Sequence, residues 1–196
     1  MDLILKAFSK AYELHNGQRR KASGAPYFVH LLDAAKYLMY ETDDVEVICA
    51  GILHDTLEDT NYSESELRAD FGDRVFKLVK FCTESKNNVN FSKSDLKMSW
   101  FERKRGAIAK LEGASSDELL VFCADKVSTL LSIKEDLDSG IDVWSSLNGS
   151  YDNIKWYYSE IERVLKSKLE GKRIFSVYQD LMFLFVEKKI EKKIFK

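Results

Sequence analysis

Hydrophobic residues recur along most of this chain at intervals of three or four positions. Between Leu3 and Leu14 they include Ala7 and Ala11, which places them on one face of a helix. The same interval predicts further helices over residues 30–40, 45–54, 63–72, 74–83, 100–111, 118–133, 144–169 and 173–195. No segment alternates apolar and polar residues as a half-buried strand does. The pattern therefore predicts an all-α protein.

Polar residues between these stripes mark where helices begin and end. Ser63 and Glu66 have the spacing of a capping box, and Gly72 is predicted to end the short helix that follows Ser63. Residues 16–27 contain Gly and Pro, and residues 85–94 are rich in Asn and Ser. Both segments are predicted to be loops.

The composition is that of an ordinary globular protein of 196 residues, with 45% hydrophobic and 32% charged residues. This length fits one domain, or one domain with a small helical appendage. Thirty basic against 32 acidic residues give a net charge of −2, so no global attraction favours nucleic acid as a partner. Local basic patches remain at residues 19–21 and 103–105. The sequence predicts no oligomeric state.

Three widely spaced cysteines, Cys49, Cys82 and Cys123, stand among apolar neighbours. An odd number without a CxxC pair favours reduced core residues over disulfides or a metal site. The N-terminus carries charged residues inside an amphipathic pattern, so no signal peptide is expected. The apolar run at 181–186 is too short to span a bilayer. We therefore expect a cytoplasmic protein without a membrane partner.

The segment LHDTLEDT, residues 53–60, is the most informative for chemistry. Adjacent His54 and Asp55 offer an imidazole and a carboxylate, a frequent ligand pair for a divalent metal. On a continuous helix, Glu58 lies one turn beyond His54, and Asp59 one turn beyond Asp55. Four such groups on one face of an apolar helix favour a bound cation, because unpaired buried charges destabilise a fold. The alternative is the solvated end of a helix followed by an exposed acidic pair.

Two further ligand candidates stand in apolar surroundings. His30 follows PYFV at the start of a helix, and Asp125 lies in the hydrophobic run LLVFCADKV. A lone carboxylate in such a helix needs a partner. The alternatives are a core histidine satisfied by hydrogen bonds and a carboxylate paired with a lysine. His15 borders a polar loop, which suits a hydrogen-bonding or surface role better than metal binding.

Together these motifs resemble the HD superfamily of metal-dependent phosphohydrolases, in particular the hydrolase domain of RelA/SpoT-type alarmone enzymes and their small stand-alone relatives. The matching motifs, in order, are HNGQRRKASGAPYFVH at 15–30, AGILHDTLEDT at 50–60, the FG of RADFGDRV, and ADKVSTL at 124–130. The resemblance runs from about residue 3 to about residue 169. It implies an HD-domain helical bundle over residues 1–170, with residues 171–196 as a C-terminal helical extension.

The resemblance also implies how the chemistry is divided among the residues. A divalent metal, usually manganese, is held by four side chains: His30, His54, Asp55 and Asp125. The implied catalytic residues are Glu58 and Asp59, which act on the attacking water and the scissile phosphate. The reaction is removal of the 3′-pyrophosphate from guanosine tetra- or pentaphosphate. A divalent cation suits it, because the cation lowers the pKa of bound water and neutralises charge developing on the phosphate.

The implied substrate is a small-molecule nucleotide bound by the basic loop. The resemblance implies that three loop residues surround the guanine nucleotide: Arg20, Lys21 and Ser23. A guanidinium can stack on a purine or grip phosphate as a fork, whereas an ammonium acts as a point charge; the alternative is a solvated turn. Asn148 and Tyr151, in the segment WSSLNGSYDNIKWYY, are further candidates to line the pocket. The alternative for that segment is an aromatic stripe packed in the core.

The helix that carries Asp125 departs from the family pattern. Where the family usually reads KLADRLHN, this chain reads FCADKVST at 122–129. Phe122 replaces a lysine, and Thr129, a candidate substrate-binding residue, replaces an asparagine that normally contacts the substrate. A retained metal ligand beside changed neighbours predicts a shifted specificity. The alternatives are a phosphatase for another phosphorylated nucleotide or dinucleotide cofactor, and a regulatory nucleotide-binding protein with low turnover.

Overall fold

The computed structural model describes residues 2–83, 93–144 and 150–194, with only the backbone described for 93–99 and 187–194. The helices are α1 Leu3–Leu14, α2 Phe28–Met39, α3 Val45–Leu53, α4 Thr56–Asp59, α5 Glu64–Cys82, α6 Lys93–Glu112, α7 Ser116–Asp138, α8 Tyr151–Leu169 and α9 Arg173–Ile194. Within the described ranges the only β-type pairing is an isolated bridge between Arg19 and Pro26. The predicted all-α fold is confirmed.

Several helices begin at a side chain that caps their free backbone N–H groups. The predicted capping box is present at α5, where the Ser63 hydroxyl accepts from the N–H of Glu66 and the Glu66 carboxylate accepts from the N–H of Ser63. At α3, the Asp44 carboxylate accepts from the N–H groups of Glu46 and Val47. These caps fix where each helix starts.

α5 consists of two helical parts that meet at Gly72. The φ angle of Gly72 is 86°, in the left-handed region that favours glycine. The predicted end of the first part at Gly72 is therefore correct, although a second helical part follows at once.

The core is centred on α3 and α7. Every residue from Val47 to Leu53 is buried, so α3 is apolar on all sides and packs against α1, α2, α5 and α7. α7 also packs against α2, α5, α8 and α9. α2 and α3 are so close that a Cβ added at Gly51 would overlap Cδ1 of Leu38. The three helices that carry the candidate metal ligands therefore meet in the middle of the molecule.

The end of α7 differs from the prediction. The helix continues to Asp138, beyond the predicted end at Ile133. The chain then turns at Gly140, whose φ of 76° is again left-handed. The N–H of Ile141 donates to the carbonyl of Asp136 and closes the turn. Because of this extension, Asp136 lies on the same helix as the candidate metal ligand Asp125.

The start of α8 also differs from the prediction. The helix begins at Tyr151 and not at Trp144, because the hydroxyl of Ser150 caps it by accepting from the N–H of Asn153. A polar cap inside the aromatic stretch makes the helix begin later than hydrophobicity suggests.

The C-terminal helix α9 packs against α7 and α8. Tyr178 is fully buried, and its hydroxyl donates to the carbonyl of Tyr158 on α8. The division of the chain into residues 1–170 and 171–196 stays a prediction. Within the described part of the chain, none of the helices combines the length and apolar content needed to cross a membrane.

Candidate metal centre and active site

His54 and Asp55 lie at a break between two helices. α3 ends at Leu53 and α4 begins at Thr56. Nδ1 of His54 donates to the carbonyl of Gly51 at 2.8 Å, and Oγ1 of Thr56 donates to the carbonyl of Leu53 at 2.7 Å. These side chains occupy carbonyls that would otherwise accept bonds from the next helical turn, so they compete with continuation of α3.

The break corrects the predicted arrangement of the acidic pair. Glu58 and Asp59 lie on the short α4, and their N–H groups donate to the carbonyl of Asp55 at 3.1 Å and 2.9 Å. The prediction of one continuous helical face from His54 to Asp59 is therefore wrong. The two carboxylates instead line different cavities, as described below.

Two buried imidazoles face each other at the centre of the site. Nε2 of His30 lies 3.1 Å from Nε2 of His54. Nδ1 of His30 lies 2.7 Å from the hydroxyl of Ser128, which itself donates to the carbonyl of His30. We therefore assign Nδ1–H as the donor in both histidines, which leaves a lone pair on each Nε2 of the neutral rings. Two lone pairs this close repel each other unless a cation lies between them.

Two carboxylates complete the ring of donors. Oδ2 of Asp55 lies 3.0 Å from Nε2 of His54 and 3.4 Å from Nε2 of His30. Oδ1 of Asp125, on α7, lies 3.3 Å from Nε2 of His30 and 3.6 Å from Nε2 of His54. The structure thus brings together all four residues that the sequence predicts as metal ligands.

The donor set fits a divalent cation. Donors bound at about 2.1 Å and at right angles to one another are about 3 Å apart. The separations between imidazole nitrogens and carboxylate oxygens here are 3.0–3.6 Å. His30, His54 and Asp55 also form a group whose ligand atoms all lie within 4.8 Å of one another. Imidazole and carboxylate donors together suit first-row divalent metals.

The electrostatics of the cluster favour a positive charge at its centre. Burial alone lowers the pKa of His54, but the carboxylates of Asp55 and Asp125 outweigh it and raise that pKa well above its usual range. Burial also opposes the charge of Asp55, yet the imidazoles hold the pKa of that carboxyl well below its usual range. A proton on His54 and a metal ion therefore compete for the same place.

Tyr27 orients Asp55, a role that the sequence motifs did not indicate. Its hydroxyl donates to Oδ2 of Asp55 at 2.5 Å. Burial and the adjacent carboxylate raise the pKa of Tyr27 above its usual range, so the hydroxyl keeps its proton. The Tyr27 ring stacks on His15, whose Nδ1 donates to Oε1 of Gln18 at 2.8 Å. Of the two roles predicted for His15, the structure shows the hydrogen-bonding one and not the surface one, because His15 is buried.

Two further residues of α7 were missed at the sequence level. Lys126 donates to Oδ2 of Asp125 at 2.6 Å, and its ammonium lies 4.8 Å from the centre of the Phe122 ring. The alternative that Asp125 is paired with a lysine is therefore correct for Oδ2. Its other oxygen, Oδ1, faces the two imidazoles. Ser128 orients His30, and its position three residues after Asp125 on the same helix was the available signal.

A cavity of about 610 Å³ opens over the donor cluster. His30, Asp55, Glu58 and Asp125 form one side of it. Five cations also line it, from the loop, α6 and α7: Arg20, Arg103, Lys104, Lys110 and Lys126. We call it the cationic cavity. Its charge favours phosphate groups next to the donor cluster.

A second cavity of about 520 Å³ adjoins the first, because Arg20, Tyr27 and Thr129 line both. We call it the loop cavity. Its lining comes from the loop before α2, from Asp59, and from the second half of α7 with the chain after it: Gln18, Arg19, Lys21, Ala22, Ser132, Ile133, Asp136 and Val143. Asp59 therefore faces the loop cavity, whereas Glu58 faces the cationic cavity.

The predicted substrate residues do not all reach these cavities. Arg20 and Thr129 line both, and Lys21 lines the loop cavity. The hydroxyl of Ser23 accepts from the N–H of Ala25 within the loop, and Ser23 lines neither cavity.

Tyr151 is also away from both cavities. Its ring stacks on Phe185 of α9, with centroids 5.5 Å apart, and it contacts Trp144. The structure thus places it in the aromatic packing that was the alternative interpretation. Asn148 lies outside the described residues.

Residues 7–147 match the model of the HD domain family, and the chain belongs to that family. Among its relatives, a Danio rerio protein named guanosine-3′,5′-bis(diphosphate) 3′-pyrophosphohydrolase MESH1 is 30% identical over 192 residues, which cover 96% of each chain. The solved structure of a metazoan ortholog of SpoT that hydrolyzes ppGpp has a TM-score of 0.71 and 25% identity, covering 94% of this chain and 96% of that one. The resemblance drawn from the motifs is confirmed.

Some relatives are much longer than this chain. A Mycoplasma pneumoniae protein, named as a probable guanosine-3′,5′-bis(diphosphate) 3′-pyrophosphohydrolase, is 34% identical over 138 residues. The match covers 67% of this chain but only 18% of that protein. The chain therefore corresponds to one part of the long relative and to nearly the whole of the short ones.

Proposed function

We propose that this protein is a divalent-metal-dependent phosphohydrolase that removes the 3′-pyrophosphate from guanosine tetra- and pentaphosphate. The observation that carries the proposal is the pair of Nε2 atoms 3.1 Å apart, flanked by two carboxylates beneath a cationic cavity. The names of two relatives support the substrate, since the Danio rerio and Mycoplasma pneumoniae proteins are named for this reaction.

The metal would be held by His30, His54, Asp55 and Asp125. When bound, a divalent cation lowers the pKa of water and neutralises charge on the phosphate. Each ligand is fixed by a contact outside the cluster, as in most metal sites: Ser128, the Gly51 carbonyl, Tyr27 and Lys126 supply these contacts. We propose Mn²⁺ as the resident ion, because carboxylate oxygens suit it and the family resemblance favours it.

Glu58 and Asp59 have separate roles in this proposal. Glu58 shares the cationic cavity with the ligands, so it can orient or deprotonate the attacking water. Asp59 lines the loop cavity, so it acts on the nucleotide. The water oxygen bonds to the phosphorus attached to the ribose 3′-oxygen, the bond between that phosphorus and the 3′-oxygen breaks, and the 3′-oxygen takes up a proton. The products are guanosine 5′-di- or triphosphate and pyrophosphate.

The shared wall of the two cavities positions the nucleotide. The guanidinium of Arg20 lies 5.7 Å from the centre of the Tyr27 ring, between the cationic and loop cavities. From there it can grip a phosphate or stack on a base. Lys21 adds charge on the loop side, and Thr129 lies one helical turn beyond Asp125.

A cytoplasmic location belongs to the same proposal. The three cysteines are unpaired, and Cys49 and Cys123 are buried. Burial raises the pKa of the Cys49 thiol to about 12, as expected of an unreactive core residue. Reduced core thiols fit a reducing compartment.

One observation favours a second substrate class. The Phe122 ring lies in the cationic cavity, where the family pattern has a lysine. The apolar ring of Phe122 suits a substrate whose group beside the phosphates differs from that of guanosine tetraphosphate. The second candidate is therefore a phosphatase acting on another phosphorylated nucleotide, such as a 2′- or 3′-phosphorylated dinucleotide cofactor.

An isotope experiment tests the reaction. The protein is stripped with a chelator, reloaded with Mn²⁺, Mg²⁺ or Zn²⁺, and incubated with guanosine tetraphosphate in H₂¹⁸O. We expect turnover that depends on the metal, is highest with Mn²⁺, and releases pyrophosphate carrying the label beside unlabelled guanosine diphosphate. Release of orthophosphate contradicts the reaction proposed. Faster turnover of a phosphorylated dinucleotide supports the second candidate, and tight binding without turnover supports a regulatory protein.

A further inference from the structure

A row of polar residues runs along α7 from the metal cluster into the loop cavity. Asp125, Thr129, Ser132 and Asp136 follow one another at intervals of four, three and four residues, which places them on one helical face. About 16 Å of helix axis separates the first from the last. The row begins at a metal-ligand candidate and ends at a carboxylate to which the proposed reaction assigns no role.

Asp136 is a buried carboxylate that lines the loop cavity, with 8% of its surface exposed. Its backbone carbonyl accepts from Ile141. Among the residues that the structure describes, no donor forms a hydrogen bond or ion pair with its side chain. Asp125, at the other end of the row, is paired with Lys126 at 2.6 Å. The carboxylate oxygens of Asp136 are not fully buried and open on the loop cavity, so they are available to accept hydrogen bonds from a molecule bound there.

The surroundings indicate what that molecule is. A carboxylate only accepts hydrogen bonds, and it accepts two donors side by side. Ile133 and Val143 supply apolar walls, and Ser132 supplies a hydroxyl. The cavity therefore suits a flat heterocycle with two adjacent N–H donors. Guanine has such an edge, at N1 and at the amino group on C2. The corresponding edge of adenine places one donor beside an acceptor nitrogen.

We propose that Asp136 determines base specificity by accepting hydrogen bonds from N1–H and the C2 amino group of guanine. The inference rests on the proposed function, in which the phosphates lie in the cationic cavity, and it adds that the base lies in the adjoining loop cavity. Hypoxanthine lacks the C2 amino group and loses one bond. Xanthine carries a C2 carbonyl, which faces the carboxylate acceptor to acceptor.

Binding of nucleoside diphosphates tests this without hydrolysis. Titration calorimetry measures guanosine, inosine and xanthosine 5′-diphosphate with the Mn²⁺-loaded wild type and with Asp136→Asn, which keeps the shape of the side chain. We expect the wild type to prefer guanosine over inosine by roughly tenfold or more, the scale of one charge-assisted bond. Asp136→Asn should weaken guanosine binding by roughly ten- to a hundredfold. It should strengthen xanthosine binding, because the amide nitrogen donates to the C2 carbonyl.

The matched control is Asp138→Asn, two residues further along α7. Asp138 is exposed and pairs with Lys134 at 2.9 Å, so this variant should keep the wild-type preference. An unchanged guanosine-to-xanthosine ratio in Asp136→Asn overturns the proposal, and so does an equal change in both variants. Alarmone hydrolysis measured in parallel separates the two hypotheses. If guanosine tetraphosphate is hydrolysed but no base is preferred, only the role of Asp136 is contradicted. If guanosine is preferred but guanosine tetraphosphate is not hydrolysed, the proposed reaction is contradicted.

Discussion

The donor cluster and the loop cavity are adjacent but differently built. The ligand candidates project from α2, from the end of α3 and from α7, which meet in the core. The loop side of the neighbouring cavity is held by a few backbone bonds, such as Arg20 N–H to the Ala25 carbonyl at 2.8 Å and Tyr27 N–H to the Gln18 carbonyl at 2.9 Å. Groups on packed helices are positioned more closely than groups on a surface loop. The ligand candidates therefore reside on packed helices, whereas part of the wall of the loop cavity resides on a less rigid loop.

The comparison predicts two kinds of response to mutation. Loss of a group from the buried cluster should leave uncompensated charge in the core and remove an entire function. Loss of a group from the loop should remove one contact and produce a graded effect.

The largest effect is expected at the metal ligands. Asp55→Asn and His54→Ala should each abolish stoichiometric metal binding and turnover, because the first removes a negative charge and the second a donor from a closely spaced set of four. Metal content is measured by mass spectrometry after gel filtration, and circular dichroism checks the fold.

His15→Gln is the matched control, since His15 is the chain's remaining histidine and lies outside the donor set. It should keep one metal per chain. Full metal content in Asp55→Asn would show that the site lies elsewhere.

The second effect concerns catalysis with the metal in place. Glu58→Gln should retain the metal and lose roughly two to four orders of magnitude in kcat, the scale of general acid–base catalysis. Single-turnover kinetics of the Mn²⁺-loaded variant measure the loss. Glu64→Gln, an exposed residue paired with Lys80 at the start of α5, should behave as wild type. Wild-type rates in Glu58→Gln would exclude it from the mechanism.

A smaller, graded effect is expected in the loop. Arg20→Ala should raise KM by roughly ten- to a hundredfold with little change in metal content, because one charge-assisted phosphate contact contributes about 1.5–3 kcal/mol. Arg68→Ala is the control, since Arg68 is exposed and pairs with Asp73. A change in kcat alone would indicate that Arg20 acts in the chemical step and not in binding.

The smallest effect concerns the scaffold that carries α3. Hydrogen bonds from Arg74 lower the pKa of Asp44, so this contact stabilises the fold above the unfolded pKa and is lost as pH falls through the lowered one. Arg74→Met should lower stability by less than about 1 kcal/mol at pH 6, because the pair is partly exposed. The gap to wild type should shrink towards pH 3 in thermal unfolding of the metal-free protein. A gap that is constant with pH would show that Asp44 makes no ionic contribution.

The sequence was most informative where local pattern decides structure. The helices, the Ser63 capping box and the break at Gly72 depend on residues close together in the chain, so spacing predicts them. The four ligand candidates were found because titratable groups in apolar runs need partners, and the order of the motifs supplied the set.

What the sequence did not show depends on contacts between distant residues. Tyr27 reaches Asp55, and Ser128 reaches His30 across 98 positions. The spacing of Ser128 from Asp125 places both on one helical face, but it does not indicate the contact with His30. The break after Leu53 arises because side chains take backbone carbonyls, which hydrophobic periodicity does not register. Asp136 lay beyond the predicted end of its helix, so its place in the cavity could not be foreseen.

The spread of the ligands along the chain has a consequence for how the protein is made. His30, His54 and Asp55 leave the ribosome well before Asp125 and Ser128. At usual rates of synthesis, roughly five to twenty seconds separate the first ligand from the last. A nascent chain that ends before α7 therefore exposes two imidazoles and a carboxylate without the helix that completes and orients them. On the proposed ligand set, all four donors are present only after most of the polypeptide has been translated, so metal binding at this site is a late event in biosynthesis.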